Sequence, residues 1–204
     1  MGMPAIRRHW TTAEVRALMD ESRPWPRYEL IDGELLVTPA PGGPHQLAVT
    51  EIVVLLHQYL REEPIGVAFV SPADLELRPG TITQPDVFIV PVSSVVTTVG
   101  KDLWSDVRAL LLAIEVISPS SVRTDRVTKR EYYMDAGVPD YFIVDLGARI
   151  VEWWSPDRET PRVIRDRLVW HPHQAEAPLT VVLPEFLDRV ATKLQSLGVQ
   201  SSAS

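Results

Sequence analysis

The 204-residue chain contains no cysteine. That excludes disulfides and thiolate metal sites, so any bound metal has to be held by oxygen or imidazole. It also fits a reducing cytoplasm, the compartment expected for this chain. Long apolar runs are missing, and none reaches the roughly 20 residues that would span a bilayer, so no membrane partner is expected. Met1 to Trp10 is polar and basic with no apolar core after it, and no signal peptide is expected. An excess of positive charge is lacking too. The net charge of -7 counts against a strong, general nucleic-acid binder. It leaves room for an enzyme with acids at a metal and basic residues clustered locally.

Several chemical signatures are absent. Gly100-Lys101 lacks the upstream glycine spacing and the following Ser/Thr of a phosphate-cradling loop. Ser118 and Ser120 lack the glycine-flanked elbow of a hydrolase nucleophile. His171 and His173 flank Pro172 without an evident third ligand, which favours a surface loop over a zinc site. No internal repeat or domain linker is visible. With 45% hydrophobic and 23% charged residues, the chain is sized and composed for one globular domain.

What is present centres on Gln84 to Lys129. Gln84-Pro85-Asp86 enters the apolar run Val87–Val90, and Leu110–Ile117 is a second run carrying Glu115. A single acid beside a strand core is costly to desolvate unless it is paired, hydrogen-bonded or bound to a cation. Adjacent strands lie about 4.8 Å apart, so acids on paired strands can share one ion. Two acids with Lys129 downstream point to a divalent-metal site. Magnesium takes oxygen ligands and keeps several waters, and such an ion could activate water against a phosphodiester. The bland reading is that Asp86 caps a turn and that Glu115 pairs with an arginine. Arg123, Arg126, Lys129 and Arg130 form a basic cluster that a solvated helix face explains about as well.

In chain order, Thr11-Thr12-Ala13-Glu14 predicts a helix start, broken by Pro24 and Pro26. Residues 28–31 and 34–37 predict a hairpin turning at Asp32-Gly33. His45 to Leu60 has helical periodicity. Short strands are expected at 67–70 and 74–77, buried-type strands at 86–90 and 110–117, and irregular chain at 92–106. Thr124 to Ala136 predicts a helix stopped by Gly137-Val138-Pro139. Residues 141–145 and 150–154 read as a hairpin, with 163–164 and 168–170 extending the same sheet. Residues 187–197 read as a closing helix. Trp153, Trp154 and Trp170 are expected to pack on the sheet rather than stack on bases. This order favours a single α/β domain with a mixed central β-sheet flanked by helices.

The pattern Pro85-Asp86, an apolar spacer, then Glu115-Val116-Ile117 resembles the PD-(D/E)XK nuclease superfamily, with Ile117 where a lysine is usual. Tyr28 to Leu35, Pro44-His45-Gln46, Gln84-Pro85-Asp86, Glu115 to Ser120, and Lys129 through Tyr133 to Asp145 resemble more closely the bacterial Uma-two family of restriction-endonuclease-like proteins. The resemblance covers about residues 28 to 155. It implies a restriction-endonuclease-like core. Chain order gives residues 1–27 as a helical lead-in, 28–197 as the domain and 198–204 as a flexible tail. The resemblance also implies metal-binding roles for Asp86 and Glu115, with Glu34 completing the site. The ion expected is Mg2+, with Mn2+ as a substitute.

His45 would touch a phosphate or a metal-bound water. Lys129 would stand in for the lysine lost at Ile117, against the alternative of an i,i+4 pair with Asp125. Gln84, Arg123 and Arg126 would contact substrate DNA. The function implied is a metal-dependent endodeoxyribonuclease. The rivals are a catalytically inactive nucleic-acid-binding or accessory protein with the same fold, and a structural or interaction module. A homodimer would suit cleavage of both DNA strands.

Overall fold

The backbone N–H of Thr11 donates to the Glu14 carboxylate (2.9 Å), and the Glu14 N–H donates back to the Thr11 hydroxyl (3.3 Å). This reciprocal cap satisfies two N–H groups that a helix start would leave bare, and it opens α1 (Thr12–Glu21). The computed structural model describes residues 9–21, 25–95 and 104–196. The expected tail at 198–204 lies outside the described residues, as does most of the lead-in before α1.

β1 (Arg27–Ile31) and β2 (Glu34–Thr38) form the expected hairpin. Asp32 and Gly33 both take positive φ (49° and 80°), as a two-residue turn matched to strand twist requires. α2 (Gly43–Glu62) has Pro44 in its first turn and buries Ala48, Ile52, Leu56 and Tyr59 along one stripe. The main sheet then forms from β3 (Gly66–Val70), β4 (Val87–Pro91), β5 (Leu112–Val116), β6 (Tyr141–Asp145), β7 (Ile150–Trp154) and β8 (Arg162–Ile164). These pair in the order β3-β4-β5-β6-β7-β8. Only β5 and β6 run parallel, and a helical crossover joins them, so the sheet is mixed.

Strand alternation divides the core. Val87, Ile89, Leu112, Ile114, Val116, Phe142 and Val144 pack with α2 and with α5 (Leu183–Ser196). Phe88, Val90, Ala113, Tyr141 and Ile143 pack on the other face with Tyr132 and Tyr133 of α4 (Arg130–Asp135; α3 is the short helix Val92–Val95). Glu115 shares the parity of Ala113, and Asp86 that of Phe88. Both acids are thus sent to the α4 face. The outcome is one mixed α/β domain with a six-stranded sheet flanked by helices.

Four local expectations need correcting. Residues 74–77 make only an isolated bridge, Leu75 to Thr83, and not a strand. The helix expected at 124–136 begins as a π-helical segment (Thr124–Lys129) before it becomes α4. It ends where predicted, with Gly137 at φ 73°. Residues 168–170 do not extend the main sheet. They belong to β9 (Arg167–Trp170), which pairs with the unanticipated β10 (Leu179–Val182) in a separate two-stranded sheet. The closing helix starts four residues earlier than expected, directly from β10. Among the described residues no helix is long and apolar enough to cross a membrane.

Candidate active site

Val87 pairs with Ile114, and the antiparallel register carried one step further sets Asp86 opposite Glu115. Side chains directly opposite in such a pair have Cβ atoms about 4.5–5.5 Å apart, and like charges there repel unless something compensates. Both acids line one cleft of about 230 Å3, together with Arg27, Glu29, His45, Gln84, Asp125 and Lys129. The charged groups of its wall are four carboxylates (Glu29, Asp86, Glu115, Asp125) against the cations Arg27 and Lys129.

Lys129 is the hub. Its Nζ lies 2.8 Å from Glu115 Oε1, 2.9 Å from Glu29 Oε2 and 4.0 Å from Asp125 Oδ1. The residue is only 4% exposed, and Glu115 3%. The π-helical segment delivers it: Asp125 and Lys129 are both buried on that widened turn. π-turns of this kind are rare and recur at functional sites. Burial by itself would lower the Lys129 ammonium, but Glu115, Glu29 and Asp125 raise it well above its ordinary value. Lys129 is therefore a fixed cation.

Burial pushes the Glu115 carboxyl well above the ordinary range, with Lys129 pulling it down and Asp86, Asp125 and Glu29 pushing it further up. Asp125 is raised for the same leading reason, against the pull of Lys129 and a hydrogen bond from Ser121. Tyr133 also donates to Glu115 Oε1, at 3.4 Å, and burial raises its phenol well above its usual value, so it keeps its proton. Both side-chain contacts of Glu115 fall on Oε1.

Asp86 is treated differently. Burial alone would raise it. The hydrogen bond and electrostatic pull of His45, the Val116 N–H and the Lys129 charge together hold it below the usual carboxylate range. His45 Nε2 donates to Asp86 Oδ2 at 2.9 Å, and Val116 N–H donates to the same oxygen at 3.0 Å. Oδ1 has Arg27 at 3.6 Å. Two facing carboxyls whose environments push them apart in acidity are a recurring mark of acid–base and metal chemistry. A second hollow of about 210 Å3 shares Arg27, His45 and Asp86 with the cleft.

The structure brings together Asp86, Glu115, Lys129, His45 and Gln84. It does not bring in the other three expected residues. Glu34 stands exposed at the turn end of β2, opposite Ile31, and does not line the cleft. Glu29, two positions before Ile31, lines the cleft instead; it is buried, pairs with Lys129 through Oε2 and accepts the Gln84 backbone N–H at Oε1, at 2.7 Å. Arg126 is committed elsewhere, donating to Glu152 (2.8 Å) and Asp145 (2.9 Å). Arg123 is exposed, and neither arginine lines the cleft. Sequence reasoning passed over Glu29 and Arg27, took Asp125 only as the i,i+4 partner of Lys129, a pair the structure shows at 4.0 Å, and took Tyr133 only as part of a family motif. The available signal was Glu29 itself, an acid on the same strand face as the apolar Ile31.

Among the described residues, no three His, Cys, Asp or Glu side chains form a ready-made metal cage. The donor set still suits a hard divalent ion held partly by water. Every donor is oxygen or imidazole, and the cleft wall carries two more formal negative charges than positive ones, which one such ion would balance.

A family model described as "Uma2: Putative restriction endonuclease" matches residues 13–190. No curated protein matches the chain. Among solved structures, the crystal structure of a "putative nuclease belonging to DUF820" from Anabaena variabilis ATCC 29413 is similar, with a TM-score of 0.66 and 21% identity. The match covers 86% of this chain and 98% of that one, and at such identity it is a likeness of fold. With the family model spanning nearly the whole domain, the chain belongs to the Uma2 family.

Proposed function

We propose that this chain is a metal-dependent endonuclease that hydrolyses DNA phosphodiester bonds with Mg2+, for which Mn2+ would substitute. The observation that carries the reading is the placement of Asp86 opposite Glu115 on paired strands of one cleft, with Lys129 against Glu115. Asp86 and Glu115 would hold the ion, with water completing its shell. The bound ion would supply a Lewis acid for a phosphate oxygen and a more acidic water.

The protein groups have distinct tasks. Lys129 stays protonated, so it serves as a positioning cation and donor toward water or a phosphate oxygen, and not as a base. Its approach to Glu115 from the π-turn supports reading it as the stand-in for the lysine missing at Ile117. His45 fixes Asp86 in its ionised form and orients it. Arg27, beside Asp86 and lining both hollows, would meet a phosphate of the backbone. Glu115 is held by the Lys129 ammonium and not by a guanidinium, which counts against a purely structural role for it, whereas Asp86 does have the Arg27 guanidinium at 3.6 Å.

The direct test is nicking of supercoiled plasmid by the purified protein with Mg2+ or Mn2+. Cleavage that needs the ion and is lost in Asp86→Ala, Glu115→Ala and Lys129→Ala supports the nuclease. Retention of DNA with no cleavage under either ion assigns the chain to the inactive, nucleic-acid-binding alternative.

A further inference from the structure

Gln84 is 5% exposed and lines the acid-walled cleft directly before Pro85 and Asp86. Its amide has one end fixed. Nε2 donates to Asp74 Oδ1 at 2.6 Å, and a carboxylate can only accept, so the amide nitrogen must sit there and the oxygen at the other end. Asp74 does not line the cleft, whereas Gln84 does. That oxygen, Oε1, is buried with no hydrogen-bond partner.

A buried carbonyl oxygen without a partner costs about 1–3 kcal/mol. Here it shares a cleft with four carboxylates, none of which can donate to it when ionised. The peptide is held as well: Gln84 N–H donates to Glu29 Oε1, and Ser71 Oγ donates to Pro85 O at 2.6 Å. Such an arrangement keeps an acceptor desolvated on a residue of the cleft wall, with a cation as a group that would satisfy it.

We infer that Gln84 Oε1 is a third protein oxygen for the divalent ion, taken directly or through a bound water, and that Asp74 is the residue that orients it. The inference rests on the nuclease reading of the Asp86–Glu115 pair. It makes the site two carboxylates and one neutral amide oxygen, a donor set suited to a hard cation that retains waters.

The test measures Mn2+ binding to the whole protein without DNA, by water-proton relaxation and by EPR of the free ion. Gln84→Leu is expected to weaken Mn2+ binding about tenfold to a hundredfold, the range typical when an orienting or supporting donor is lost. The paired change Asp74→Asn with Gln84→Glu reverses the hydrogen bond while leaving an oxygen toward the cleft, and is expected to restore binding to within about threefold of the parent, a difference of under about 1 kcal/mol. It also serves if Gln84→Leu fails to fold.

Unchanged Mn2+ affinity in Gln84→Leu, or no binding by the folded paired variant, overturns the inference. So does a loss confined to KM for DNA, which would turn the oxygen toward substrate. Binding that needs Asp86 but ignores Gln84 sinks this inference alone. A parent protein that binds no Mn2+ sinks the nuclease reading with it.

Discussion

Lys129 Nζ and Glu115 Oε1 lie 2.8 Å apart, although one sits on a π-turn and the other in the middle of the central sheet. Truncating the lysine would leave Glu115, Glu29 and Asp125 buried without their shared cation. Lys129→Met is therefore expected to destabilise the metal-free protein by about 3–5 kcal/mol near pH 8. The penalty should shrink as the pH is lowered to 5, because burial has already weakened Glu115 and Asp125 as acids and losing the lysine removes the charge that pulls them down, so protonation relieves them. Urea denaturation at the two pH values measures it. A penalty that does not depend on pH would speak against the ion cluster.

Glu115 gives the opposite sign. An unfolded glutamate titrates near about 4.3, and the folded Glu115 well above that. The folded state therefore binds an extra proton in the interval between the two, and stability is lost as pH rises through it. Glu115→Gln removes that slope. Without metal it should match or exceed the parent in melting temperature at pH 8, while losing all ion-dependent cleavage. A variant that is clearly less stable at pH 8 would show that Glu115 is there for structure.

Arg126 is a clamp between the π-turn and β6–β7. Arg126→Ala removes hydrogen bonds to Glu152 and Asp145 and should cost about 1.5–3 kcal/mol, read as a lower denaturant midpoint. Cleavage per folded molecule should stay unchanged. A lower activity at full folding would return Arg126 to the substrate.

Much of this arrangement could be read from the chain. Val87–Val90 and Leu110–Ile117 are continuous apolar runs, so their strands were evident, and a lone acid in each run singled out Asp86 and Glu115. The resemblance to the Uma-two family, read on the same motifs, agrees with the family match. Glu29 was less legible, because a hairpin acid next to a turn looks solvated until the hairpin docks through the Leu30–Ile82 bridge. Glu34 lies on the same face, but at two residues' distance along a strand it stands about 6–7 Å nearer the turn. The π-turn was hidden as well, since Thr124 to Lys129 has ordinary helical composition. Burying Asp125 and Lys129 together depends on partners from β1 and β5. Membership of β9 in a separate sheet is set by its distant partner β10, which no local pattern announces.

The most direct measurement is anomalous diffraction from crystals of the parent protein soaked in Mn2+. One peak is predicted within about 2.6 Å of both an Asp86 and a Glu115 carboxylate oxygen, with Lys129 beside it. A peak elsewhere, such as at His171 and His173, or none at the cleft, would contradict the shared-ion account.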